Sequence, residues 1–280
     1  MEETLPVLLL ILVLLGVLAG FIALVYFLVK VFFFTIDEDG YLKYHYTTFF
    51  DGFRSKKKVR ELDSYLLKLA YYSRLSMKDQ KKFLARTLKL QTVKSFEYHN
   101  AEASEEVETI VLGSMVQLTF GLSTDVLANF SDIHILPDSF VLNSNAEKLH
   151  LKGATTKRGR IYLSQKHLYE GINNSTDGLS LVLHELAHAL KLNNTFDRFG
   201  GDSLMNEVFI ELAVLKGKGD PVFRSYENTN LDEFFAIAVE HFFERPLDVR
   251  FKAPVLYAKL CMLLNQDPFT VKEVPNPLSV

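Results

Sequence analysis

The chain has 280 residues, enough for one large domain or two small ones. Its formal net charge of −3 offers no basic field to hold a nucleic acid backbone, which excludes direct nucleic acid binding as its main role. Cys261 is the only cysteine, so an intrachain disulfide and a cysteine-rich structural zinc site are both excluded.

Residues 5–29 form an uncharged apolar run, longer than the core of a signal peptide and preceded by Glu2 and Glu3 rather than by basic residues. About 20 apolar residues span a bilayer core, so the run predicts a transmembrane helix. Lys30, Lys43, Arg54, Lys56, Lys57, Lys58 and Arg60 all follow it, which places the C-terminal side in the cytoplasm. The expected division is an N-terminal transmembrane anchor at 1–34, a juxtamembrane connector at 35–60 and one domain at 61–280. The basic run 56–60 reads as a solvated helix start, with contact to anionic lipid as the alternative.

From 61 to 129 the pattern is mostly helical. One helix is expected through Tyr65, Leu66, Leu69, Ala70 and Tyr72, and a second through Phe83, Leu84, Thr87 and Leu88, capped by Ser76. A third is expected from Glu105 to Leu118. Ile133-His134-Ile135-Leu136-Pro137 reads as a short strand closed by proline. Arg160-Ile161-Tyr162-Leu163-Ser164 reads as another, and an edge strand in this position is able to bind a peptide backbone as an added strand. Residues 173–178 read as a loop, with Thr176 or Asp177 to cap the next helix.

That next helix contains His184-Glu185-Leu186-Ala187-His188, within an unbroken helix-favouring run from Leu181 to Leu190. Residues four apart on a helix lie about 40° apart around the axis, so both imidazoles point the same way and are placed to grip one Zn²⁺. Glu185 lies about 100° round from His184. It is placed to take a proton from a water at the metal rather than to join the grip. The helix is expected to end near residue 191, and another to run from Leu204 to Lys216 before Gly217, Gly219 and Pro221 break it.

A further helix is expected from a Thr229 cap to about Glu244, stopped by Arg245-Pro246. Its apolar residues cover most faces, which predicts burial. Glu233, Ile237 and Glu240 share one face. A buried carboxylate is costly unless paired or metal-bound, and Glu233 as third ligand removes that cost. Glu240 and His241 are the rival ligands. Two histidines, one glutamate and an open fourth position make a catalytic zinc arrangement rather than a closed structural one.

Glu233-Phe234-Phe235-Ala236, Glu240, Phe242-Phe243-Glu244-Arg245-Pro246, Tyr257-Ala258-Lys259-Leu260 and Gln266-Asp267-Pro268 together resemble the Mlc titration factor A family of zinc peptidases. The segments at 133–137 and 159–164 fit the same likeness, which runs from about residue 80 to 275. The resemblance implies a helix-rich α+β, zincin-like metallopeptidase domain with a gluzincin-type site holding one Zn²⁺ per chain. It implies His184, His188 and Glu233 as metal ligands, Glu185 as general base and Tyr226 as the residue that assists the transition state. The chain departs from the family where Leu190 is followed by Lys191 instead of aspartate; Asp197 and Asp202 are the candidates to supply that carboxylate. The apolar N-terminal run is a second departure.

Two functions follow as expectations. One is a membrane-anchored, zinc-dependent peptidase, aminopeptidase-like on short peptides, a single-pass protein of a bacterial inner membrane with its catalytic domain in the cytoplasm. The other is a regulator that binds and sequesters a transcriptional repressor of sugar uptake, with zinc in a structural or secondary role.

Overall fold

The computed structural model describes residues 16, 18, 20–25, 34–36, 42–44, 52–122, 126–144, 147–174, 177–193, 201–218 and 230–269. The chain divides into two compact units, Met1–Val59 and Arg60–Val280. In the first, β1 (Phe34–Ile36) and β2 (Leu42–Tyr44) form an antiparallel pair.

Among the described residues no helix is long and apolar enough to cross a membrane. The expected single-pass anchor, the contact with a membrane through residues 5–29 and the localisation built on them are corrected on that finding. The described part of the run is helical at residues 16, 18 and 20–25. The rest of the run lies outside the described residues.

The helix expected through Tyr65 and Tyr72 is two helices, α1 (Gly52–Leu66) and α2 (Ala70–Arg74). On a straight helix Tyr72 would lie about 240° round from Leu66. The break at 67–69 lets Leu62, Leu66, Tyr71 and Tyr72 all bury in the core. α3 (Met77–Gln91) is capped as its sequence predicts, Ser76 Oγ accepting from the Asp79 N–H at 3.2 Å. Such a cap contributes about 1 kcal/mol. After β3 (Ser95–Tyr98) comes α4 (Glu105–Thr119), buried continuously from Thr109 to Thr119. A helix apolar on all sides belongs at the centre of a core.

The next strands are β4 (Asp132–Leu136), β5 (Phe140–Ser144), β6 (Glu147–Leu151), β7 (Gly153–Thr155) and β8 (Arg160–Ser164). β5 and β6 pair with each other as an antiparallel hairpin. The main sheet has the order β3-β4-β8-β7, parallel except for β7, which runs antiparallel to β8. β8 is therefore an interior strand, and its expected role as the edge strand is corrected. The edge next to β8 belongs to β7, a three-residue strand with no apolar alternation to announce it. Ile133 and Ile135 of β4 pair with Ile161 and Leu163 of β8, and all four are buried. Side chains alternate across a strand, so these residues define the core face of the sheet.

The remaining helices are α5 (Gln165–Asn173), α6 (Leu181–Leu192), α7 (Gly201–Lys218), α8 (Leu231–Glu244), α9 (Pro246–Lys252) and α10 (Pro254–Leu264). α7 runs through Gly217, which does not break it as expected. α6 packs against α4 and α8 and lies over β7 and β8, so the His-Glu-Leu-Ala-His segment sits between a buried helix and the sheet edge. The architecture is α+β and helix-rich, as the sequence leads one to expect.

Candidate metal centre

The chain enters α6 through Gly178, whose φ of +78° favours glycine and whose N–H donates to Glu244 Oε2 at 2.9 Å. A Cβ here would lie 2.8 Å from Cε1 of His241. This turn moves the cap past the expected positions to Ser180. Ser180, rather than Thr176 or Asp177, accepts from the Leu183 N–H at 3.4 Å. Asp177 accepts from the Leu179 N–H at 2.9 Å instead, and Thr176 lies outside the described residues. At the head of α8 the cap is Asn230 rather than Thr229. Its Oδ1 accepts from Asp232 and Glu233, both at 2.9 Å, and puts Glu233 in the first turn.

These two helix starts bring three donors together. His184 Nε2 lies 3.1 Å from Glu233 Oε2 and 3.2 Å from His188 Nε2, and His188 Nε2 lies 3.4 Å from Glu233 Oε1. For ligand bonds of about 2.0–2.1 Å, donors at the corners of a tetrahedron are ~3.3–3.4 Å apart. The group therefore has the spacing and donor types of a site for a metal ion. All three side chains are half-buried, which leaves one side of the triangle open.

Glu240 is not a fourth member of the triangle. It is buried, and its Oε1 accepts from Nδ1–H of His184 at 2.8 Å, on the side of the ring away from Glu233. This carboxylate fixes the tautomer of His184 and leaves the Nε2 lone pair facing the other donors. His241 points elsewhere: Nδ1 bonds the Ile237 carbonyl at 3.0 Å and the ring packs on Gly178.

The electrostatics fit a cation. Burial opposes charge on His184, but the Glu233 and Glu240 carboxylates outweigh it and raise its pKa to about 10. Glu233 is held well below the usual carboxylate range by His184 and His188. The triangle therefore favours one positive charge, and a metal ion bound there would take the place of the proton. Burial pushes Glu240 up against the pull of His184, and it pushes Glu244 up to about 8, helped by the charge of Glu240.

Glu185 stands apart from the triangle. Its side chain is buried on the side of α6 that faces β7. Thr155 Oγ1 lies 2.8 Å from Glu185 Oε2 and 2.9 Å from the Glu185 carbonyl oxygen, so its hydroxyl ties strand to helix. Gly153 lies so close that a Cβ there would be 2.5 Å from Glu185 Oε1. Burial raises the pKa of Glu185, with His184 and the Thr155 hydrogen bond working against the shift.

The family model of glucose-regulated metallo-peptidase M90 matches residues 54–264. The chain belongs to this family. Among curated relatives, the Mlc titration factor A of Salmonella arizonae is 24% identical over 172 residues, covering 52% of this chain and 67% of that protein. The proteins of the same name from Salmonella paratyphi B and Salmonella typhimurium are also 24% identical over 172 residues, covering 63% of their length. The matches thus take in about two thirds of these relatives.

In this M90 chain the structure brings His184, His188 and Glu233 together and sets Glu185 beside them. Tyr226 lies outside the described residues, as does Asp197. Lys191, the departure from the family pattern, forms an ion pair with Asp232 next to Glu233, so it ties the end of α6 to the start of α8. Sequence reasoning missed Thr155 and Gly153. Nothing in a three-residue strand 30 positions before Glu185 marks it as that residue's support. The sequence places Glu240 on the same face as Glu233, but which nitrogen of His184 it meets depends on how α6 and α8 pack.

Proposed function

We propose that this M90 member is a zinc-dependent peptidase in which His184, His188 and Glu233 hold the metal and Glu185 is the general base. The observation that carries the reading is a triangle of donors at metal-ligand spacing beside a separate buried carboxylate held by the edge strand. A structural metal site needs no such carboxylate. Two imidazoles and one carboxylate with an open side suit zinc. When bound, zinc supplies Lewis acidity, polarising a carbonyl and acidifying water.

The chain's own residues do the rest. Glu185, with its pKa raised by burial, takes a proton at its carboxylate and passes it to the leaving amine. Thr155 holds the Glu185 carboxylate while it does so, and Glu240 keeps the His184 ring in one orientation. β7, the terminal strand of the sheet, receives the substrate backbone as an added strand. Tyr226 donates its phenol to the developing oxyanion. The substrate class is short peptides, cleaved in an aminopeptidase-like manner.

The relatives' name, Mlc titration factor A, favours a second reading, in which the chain binds and sequesters a transcriptional repressor and the metal is secondary. One experiment separates the two. The full chain, loaded with zinc, is incubated with a pool of short peptides and cleavage is read by mass spectrometry. Cleavage that a chelator abolishes and added zinc restores is the expected result. Zinc bound without cleavage of any peptide would leave the second reading in place of the first.

Gly153→Ala tests the support of Glu185. The added methyl displaces the Glu185 carboxylate while leaving the donor triangle alone. Misplacement of a catalytic group by ~1 Å costs on the order of 10²-fold in rate. The variant is expected to lose activity on that scale with unchanged zinc content. Wild-type rates would show that β7 does not position Glu185.

A further inference from the structure

A second group of donors lies on the opposite face of the sheet. Glu97 of β3, His134 of β4 and Tyr162 of β8 occupy one register row. The neighbouring rows, with Ile133, Ile135, Ile161 and Leu163, are buried towards the core. By strand alternation, Glu97, His134 and Tyr162 project from the other face, away from α6. His99 continues the ladder just past the end of β3, its N–H donating to the Ile135 carbonyl at 2.8 Å, and falls on the same face as Glu97.

His99 Nε2 lies 2.8 Å from His134 Nδ1. The Glu97 oxygens lie 3.6 Å from His99 Nε2 and 3.5 Å from His134 Nδ1. A hydrogen bond between the two imidazoles accounts for the first approach only, since the carboxylate is beyond ordinary hydrogen-bond distance of both rings. The three separations bracket the ~3.3–3.4 Å edge expected around one tetrahedral ion. His134 is fixed in place: its ring stacks on Tyr162 at 4.5 Å and 13° and on His99 at 5.1 Å and 20°. Its Nε2 has no hydrogen-bond partner among the described residues, so its polar contacts are committed to the cluster through Nδ1. The Glu97 side chain is 66% exposed yet turned towards the two imidazoles, and its exposure leaves a position open to water.

We propose that Glu97, His99 and His134 form a second divalent-metal site, separate from the His184 centre, that pins the edge strand β3 to β4. Two imidazoles and a carboxylate suit zinc, cobalt or nickel. The open side makes the ion exchangeable. The site lies on the face of the sheet away from Glu185, so it does not depend on the peptidase reading.

The test uses the full chain with Co²⁺ alone as the probe, its stoichiometry read by equilibrium dialysis and its ligand field by visible absorption. Wild type is expected to bind two Co²⁺ per chain. His99→Ala and Glu97→Gln change exposed or half-exposed side chains and are each expected to lose one equivalent, through at least a tenfold weaker site. Both retain the other equivalent, which His184→Ala removes. Peptide hydrolysis by His99→Ala stays at the wild-type level where hydrolysis occurs. A single Co²⁺ in wild type that survives both substitutions at this cluster would overturn the proposal, as would two that both survive them.

Discussion

Glu185→Gln is expected to lower peptide hydrolysis by roughly 10²–10⁴-fold with no loss of zinc. Glutamine keeps the size of the side chain and an oxygen to accept from Thr155, so the contact that holds the residue against β7 survives. It has no carboxylate to take a proton. The loss corresponds to about 2.7–5.5 kcal/mol on the barrier. Burial disfavours the Glu185 charge, so a neutral replacement is expected to leave the thermal midpoint unchanged or raised. Rate, metal content and midpoint together separate a lost base from a damaged fold. A variant that hydrolyses peptides within about threefold of wild type would remove Glu185 from the mechanism.

Glu233→Ala and His184→Ala are each expected to lose one equivalent of zinc per chain and, with it, all metal-dependent hydrolysis. Removing Glu233 takes away the carboxylate that faces both imidazoles and leaves two like donors 3.2 Å apart with no anion between them. Removing His184 leaves the buried Glu240 carboxylate without its imidazole partner and, among the described residues, with only the Ser180 backbone to hold it, so this variant is also expected to be less stable. An ion that binds only the folded chain stabilises it by about 2.7 kcal/mol at one hundred times its dissociation constant. The wild-type thermal midpoint should therefore rise with zinc, and that rise should shrink in both variants. The metal displaces a proton from His184, whose pKa is raised to about 10, so zinc uptake weakens as pH falls. Full zinc content in both variants would refute the ligand assignment.

Much of this site was legible in the sequence because its first half is local. The four-residue spacing of His184 and His188 turns into a shared helix face by geometry alone, and an apolar run without glycine or proline secures the helix. The cost of a buried carboxylate pointed to Glu233, but in the structure Glu240 is the buried glutamate of this helix and Glu233 stays 43% exposed; the proline at 246 marked the end of the helix. Helix starts were less legible. Ser180 replaces the expected cap of α6 because the φ of Gly178 and its packing on Glu244 and His241 decide where the chain turns inward, and at α8 Asn230 Oδ1 takes the Asp232 and Glu233 N–H groups in place of the expected Thr229. The N-terminal run shows the limit of composition. Its apolarity predicts a membrane span, while no helix among the described residues is both long and apolar enough to make one.

By itself, then, the sequence determined the helical stretches, the paired imidazoles and the neighbouring glutamate, because periodicity and residue type act over one or two helical turns, while the α+β class came from the family resemblance. Only the tertiary structure decided that Glu233 meets His184 across 49 positions and His188 with it, and that Glu240 holds the far nitrogen of the His184 ring. It also decided that β7 rather than β8 forms the edge beside Glu185, and that Glu97, His99 and His134 meet on the opposite face. Those contacts join segments distant along the chain, and the register of strands and the packing of helices that create them leave no local signature.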